Sequence, residues 1–335
     1  MMRILFLMPR LDCSFKIGYV PKEREHIDPI RLHWIKFRKC VQAEHESRGD
    51  YFNLLEKPLW QFTVDEMQEL CEIHKYDVIY IPHKEFRNFP IIGKTRPLYY
   101  MQTQFPWIFS VDCKGWGSGA SAYPFNSVHS INSAAYDKLR EICKTGKSKF
   151  GQPERGTNLN MLPKDKSFIF FPCQLPHDET IKFHSSVSVE DALKATCTAA
   201  INMGVSLVIK GHPVNPDSMA PLKDIVSNFT LSHRDRIQWI DIINIQDVLE
   251  RALVTVTVNS GVGFESLLMG TPVITLGEAE YDTVSIKAHP HTLSLVLSDN
   301  FTNRYGSYDL NGFFQHWTNW TYDTTDANSF RKLRA

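Results

Sequence analysis

The run FPCQLPHDETIKFHS (171–185) releases Gln174, His177, Asp178 and His184 directly after an apolar, strand-like segment. Two later runs share this form: LVIK is followed by Gly211, His212 and Pro213, and LVTVTV by Asn259, Ser260, Gly261, Val262 and Gly263. Lys210 and His212 suit an anionic leaving group, because an ammonium neutralises phosphate charge and an imidazole can donate to a phosphate oxygen. VNSGVGFESLL reads as strand, small-residue turn and helix, which lets a phosphate approach backbone N–H groups at the positive end of the helix dipole. Glu265, one turn into that helix, is placed to accept hydrogen bonds from ribose hydroxyls.

Each residue also has a plainer reading: Asp178 and Ser260 as helix N-caps, Glu265 as a favourable first-turn carboxylate, His212 as a turn residue. A further loop, WIFSVDCKGWGSGAS, carries Asp112, Gly117 and Ser118, and Asp112 there reads as the start of a turn. The i, i+7 spacing of His177 and His184 is not a metal-ligand pattern, so no metal site is expected. The glycine spacing matches neither a dinucleotide fingerprint nor a Walker A loop, which argues against NAD and ATP.

The elements that position these residues follow from periodicity. In the second half, SFIFFP, VSLVIK, LVTVTV and PVITLG read as strands. SVEDALKATCTAAINM, IQDVLERA and GFESLLMG read as helices, with Ser188 and Asn244 as caps and Gly270 as a stop. Strand–helix alternation predicts an α/β fold with a parallel sheet. Ligands of such sheets bind beyond the carboxyl ends of the strands, so three polar motifs at strand ends predict one site. In the first half Ile4–Met8, Val78–Ile81 and Trp107–Val111 read as strands, and DEMQELCEIHKY as a helix. The expected boundaries are a domain at 1–150, a Lys/Gly/Pro-rich linker at 151–166, a domain at 167–305, and an aromatic helical segment at 306–335 packing back on the first domain.

The 335 residues suit two domains. Lys plus Arg equals Asp plus Glu, 37 each, giving no electrostatic drive toward nucleic acid. Seven scattered cysteines without a C-x-x-C pair predict reduced thiols and a cytoplasmic setting. MMRILFLMPR reads as a first strand rather than a signal peptide, and no apolar run approaches the ~18 residues of a membrane span.

Three motifs, FPCQLPHDETIKFHSSVS, LVIKGHP and TVNSGVGFESLLMGTPVITLGEAEYD, resemble in order and spacing the bacterial capsule polysaccharide biosynthesis family, which includes β-Kdo transferases. Gln174, Asp178, Ile181, Lys210, His212, Pro213, Ser260, Gly263, Glu265, Gly270, Pro272 and Val273 match its pattern positionally. GWGSGAS is similar to its N-terminal-domain glycine/serine loop, a candidate acceptor or donor loop. The His-Pro and Ser motifs also resemble those of the GT-B sialyltransferases, although the acidic motif of those enzymes is absent. Gly211 stands where the family often has proline, and the glycine-tryptophan seen after the final tyrosine in some members is missing after Tyr281.

The resemblance implies a GT-B-like fold: two Rossmann-like domains with parallel sheets facing a central cleft, the first on the acceptor side and the second binding the nucleotide sugar. It implies a metal-independent glycosyltransferase with no cofactor beyond a CMP-sugar donor, CMP-Kdo, and a saccharide or glycolipid acceptor. It also implies retention through an aspartyl intermediate on Asp178, with Gln174 assisting. Lys210, His212, Asn259, Ser260, Gly261, Gly263 and Glu265 would bind the nucleotide sugar. Contact with capsule assembly proteins or the inner membrane would be peripheral. Alternatives are a transferase for CMP-sialic acid or a UDP- or GDP-sugar, and a non-catalytic glycan- or nucleotide-binding subunit of an assembly complex.

Overall fold

Short β-branched and aromatic runs build two six-stranded sheets, each with its own core. The computed structural model describes residues 1–8, 24–56, 64–82, 94–121, 123, 132–146, 148–164, 168–213, 217–233, 236–299 and 305–333. Cys13 and Asn300 lie outside them, as do the last residues of the expected linker. The chain divides into one unit of Met1–Tyr123 with Thr318–Ala335, and a second of Pro124–Trp317.

The first unit contains β1 (Arg3–Met8), α1 (Arg24–Ser47), β2 (Tyr51–Glu56), α2 (Val64–His74), β3 (Val78–Pro82), β4 (Arg96–Gln102) and β5 (Ile108–Asp112). Its sheet runs β12-β5-β4-β3-β1-β2, where β12 is Thr321–Asp323. Strands β1 to β4 are parallel, whereas β5 is antiparallel to β4, and β12 to β5. The expected all-parallel order therefore ends at this edge. Helix α1 buries Trp34, Phe37 and Val41, and Phe37 stacks on Phe109 at 4.3 Å between ring centres.

The second unit contains α3 (Ala134–Lys144), β6 (Phe168–Pro172), α4 (Glu179–His184), α5 (Val189–Met203), β7 (Ser206–Lys210), α6 (Ala220–His233) and β8 (Ile237–Trp239). It continues with α7 (Ile245–Leu249), β9 (Ala252–Thr257), α8 (Gly261–Met269), β10 (Val273–Thr275), β11 (Ile286–Lys287), α9 (Leu293–Ser298) and most of α10 (Leu310–Trp320). The sheet, β11-β10-β9-β6-β7-β8, is parallel throughout. Phe168, Phe170 and Phe171 of β6 are fully buried, each contributing about 1.5–3 kcal/mol relative to exposure. From β6 the chain builds outward through β7 and β8, then returns to β9 on the other flank of β6. The strand order thus reverses between β6 and β9, the place where open α/β sheets form their ligand crevice.

Three boundaries differ from the sequence reading. Helix α3 belongs to the second unit, its Tyr136 hydroxyl donating to the Leu267 carbonyl of α8, so that unit begins before residue 150. Residues 151–164 are likewise pinned to the second unit rather than linking two bodies: Arg155 pairs with Asp247 and Glu250, Gly156 N–H donates to Asp247, and Asn244 Nδ2 donates to the Pro153 carbonyl. The aromatic face of α10 packs on the second unit, with Phe313, Phe314 and Trp317 surrounding Phe264 at 4.8–6.1 Å between ring centres. Beyond that helix the chain joins the first unit as β12.

Candidate functional site

Because β6, β7 and β9 are adjacent parallel strands, their three polar motifs emerge at one edge of one sheet. Beyond β6, Asp178 is the N-cap of α4: its Oδ1 accepts from the backbone N–H of Thr180 at 2.9 Å and from the Thr180 hydroxyl at 2.8 Å. Among the described residues its other oxygen, Oδ2, accepts no hydrogen bond. One carboxylate therefore holds the helix with one oxygen and keeps the other open.

Gln174 is buried and bonded on both sides. Its Nε2 donates to Asn259 Oδ1 at 2.9 Å, and its Oε1 accepts from Asn259 N–H and the Thr257 hydroxyl. Asn259 in turn donates to the Thr180 carbonyl at 3.0 Å. These two residues form a brace across the β6–β9 gap that fixes α4, and with it Asp178.

Lys210 is tied to the end of the neighbouring strand β8. Its Nζ donates to the Asp241 carbonyl at 2.6 Å from a buried position, so it secures the loop beyond β8. Gly211 donates its N–H to Asp241 Oδ1 at 2.9 Å, a bond that proline could not make, and a Cβ there would lie 3.0 Å from both Asp241 Oδ1 and Trp239 Cζ2. The His212 ring lies edge-on to Phe150 at 5.3 Å. Desolvation lowers its pKa to about 4; Asp178 pulls it upward and Lys149 downward, leaving a neutral imidazole at neutral pH.

Ser260 caps α8, accepting from Val262 N–H at 3.2 Å. Gly261 is the first residue of that helix. Gly263 is needed for packing: a Cβ there would lie 2.2 Å from the buried Tyr281 hydroxyl, which donates to the Ser260 carbonyl. Glu265 is buried with partners on both oxygens, Ser148 Oγ at 3.2 Å and Gln246 Nε2 at 3.0 Å, rather than standing open to a ribose.

In the first unit, Asp112 organises the glycine/serine loop by accepting from the N–H groups of Lys114, Gly115 and Ser121 and from the Ser121 hydroxyl. Gly117 adopts a positive φ of 58° in a short 3-10 turn, with Ser118 beside it. His177 is exposed and His184 buried. Among the described residues no three His, Cys, Asp or Glu side chains are grouped to hold a metal ion.

A family model described as "Capsule polysaccharide biosynthesis protein" matches residues 120–302, more than half of the chain. The chain belongs to this family. The matched region spans all three motifs of the second sheet. Among solved structures, the β-Kdo 2,7 transferase of Thermosulfurimonas dismutans KpsC is similar at a TM-score of 0.53 and 13% identity, covering 96% of this chain and 92% of that one. The β-Kdo 2,4 transferase of the same protein is similar at a TM-score of 0.51 and 15% identity, covering 82% and 85%. These likenesses show the fold: GT-B-like, with two Rossmann-like domains. Among curated proteins none matches the chain.

The sequence reading missed Ser148, Lys149 and Phe150. They lie in a lysine- and glycine-rich stretch without periodicity, so nothing local sets them apart from a solvated loop. Tyr281 stood within a quoted motif, but its dependence on Gly263 is a contact between distant positions that spacing does not reveal.

Proposed function

We propose that the protein is a retaining glycosyltransferase that moves Kdo from CMP-Kdo onto a saccharide or glycolipid acceptor of a surface polysaccharide, through a covalent adduct on Asp178. The observation that carries this reading is the divided carboxylate of Asp178. Oδ1 is fixed by Thr180, Oδ2 is open, and the residue stands beyond β6 where the strand order reverses. In the first step Oδ2 bonds to the anomeric carbon as the bond to the phosphate oxygen breaks, its electron pair leaving on CMP. In the second, an acceptor hydroxyl attacks the anomeric carbon and displaces Asp178, its proton passing to the released CMP phosphate, and two inversions give retention. The Gln174–Asn259 brace contributes orientation, the part of the barrier that rigid positioning removes. The neutral His212 ring can donate a hydrogen bond to the phosphate, and the first turn of α8 offers it backbone N–H groups. Membership of the capsule family and the likeness to two Kdo transferase structures support the donor class.

The test is transfer from CMP-Kdo with EDTA present, since the reading requires no metal. Asp178→Asn retains the cap, because asparagine caps helices as well as aspartate does. It should lose transfer by roughly a thousandfold or more while keeping CMP affinity and thermal stability. Intact-mass measurement of wild type with donor alone should show a sugar adduct that maps to Asp178. An active Asp178→Asn protein, or an adduct elsewhere, would overturn the assignment.

A further inference from the structure

Residues 148–150 reach all three motifs with three consecutive side chains. Ser148 donates to Glu265 of α8, and Phe150 meets the His212 ring beyond β7. Between them Lys149 lies in the field of Asp178, the cap of α4, with its Nζ 5.8 Å from the centre of the Phe150 ring. Among the described residues its ammonium makes no hydrogen bond or ion pair. The side chain is half-buried, so the ammonium keeps contact with solvent and has N–H donors free for an incoming anion.

We propose that Lys149 is the cation that receives an anionic group of the donor beside Asp178, either its phosphate or the carboxylate of its sugar acid. This rests on the nucleotide-sugar reading above and changes which lysine serves it. Lys210 is buried and already donates to the Asp241 carbonyl, whereas the Lys149 ammonium makes no hydrogen bond among the described residues. Anchoring by Ser148 and Phe150 on either side in sequence fixes the backbone that presents it. Desolvation lowers its pKa to about 8 against the pull of Asp178, with the neutral His212 as the other titratable neighbour. A bound anion would restore the charged form, so binding should take up protons near and above pH 8.

The experiment reads Lys149 directly in the full chain. Amines are pulse-acylated near pH 8, where a lysine of lowered pKa reacts readily, and the peptide carrying Lys149 is quantified by mass spectrometry. The additions are CMP, UDP, cytidine, inorganic pyrophosphate and free Kdo. Protection by CMP and pyrophosphate but not cytidine identifies the phosphate as the anion. Protection by free Kdo alone identifies the carboxylate. Protection by pyrophosphate and UDP but not CMP keeps the role of Lys149 while sinking the CMP-donor reading. Equal labelling under every anion overturns the proposal. Lys149→Gln should raise the Kd of the protecting anion about 10- to 100-fold, the range for a lost hydrogen bond to a charged group. Lys149→Arg should recover part of that loss and abolish the proton uptake. Unchanged affinity in a folded Lys149→Gln protein is the second overturning result.

Discussion

Glu265 shows how burial sets the behaviour of a single residue. Desolvation raises its carboxyl pKa to about 7, against the hydrogen bonds from Ser148 and Gln246, which favour the ionised form. From the ordinary value of 4.5 up to about 7, the folded chain keeps a proton that the unfolded chain has released. The resulting stabilisation is complete below the unfolded value and is lost as pH rises through the folded one, on the order of 3 kcal/mol at most. His212 acts in the opposite direction. Its folded pKa of about 4 lies below its ordinary 6.5, so its contribution is full above 6.5 and is lost as pH falls toward 4. The two trends overlap, so wild-type melting alone would conceal both. Glu265→Gln isolates the first: its Tm relative to wild type should climb as pH rises from 5 through 7 to 8. A Tm difference that is flat or falls with pH would show that the carboxyl ionises normally.

At the scale of elements, α8 is held by contact at its own amino end. The missing Cβ of Gly263 admits Tyr281, whose hydroxyl reaches the carbonyl of the capping residue Ser260. Gly263→Ala should therefore cost about 1–3 kcal/mol as an overpacked position. In a Tyr281→Leu background the same change should cost much less, a coupling that a double-mutant cycle measures by denaturant unfolding. Additive costs would mean that Gly263 serves something other than Tyr281. The elements of the second sheet were legible because fully buried parallel strands are continuous apolar runs, and β6, β7 and β9 fall within a residue or so of their expected limits. The caps Asp178, Ser188, Asn244 and Ser260 and the stop at Gly270 were equally plain, since each uses local chemistry. Edge strand β2, with Tyr51 exposed, and β4, which carries Pro97 at its second position, lack that signature and were not read as strands. The site was legible only as motifs at strand ends. Which polar groups are already bonded to one another, as Lys210 is to Asp241, depends on side chains distant in sequence.

At the scale of the whole molecule, the chain leaves the first unit near Tyr123, completes the second, and returns through α10 to add β12 to the first sheet. The groups proposed to meet the nucleotide sugar, Lys149, Asp178, His212 and the start of α8, all belong to the second unit, which is continuous in sequence. No helix among the described residues is long and apolar enough to cross a membrane, so nothing in their helices obliges this unit to be studied in lipid. Its lower boundary is set by the packing of α3 on α8, its upper one by the aromatic face of α10 on Phe264. Cutting at residue 305 would strip Phe313, Phe314 and Trp317 from Phe264. Losing one such buried aromatic costs about 3–5 kcal/mol, and the loss of three approaches the 5–15 kcal/mol that typically stabilises a domain. A fragment of residues 124–320 should melt cooperatively and bind CMP within about tenfold of the full chain, a shortfall of roughly 1.4 kcal/mol. A fragment of residues 124–305 should be unfolded or aggregated. Calorimetric melting and titration with CMP check both. If 124–320 folds but fails to bind CMP while the full chain binds it, the nucleotide site requires residues of the first unit, and the assignment to the second sheet alone is wrong.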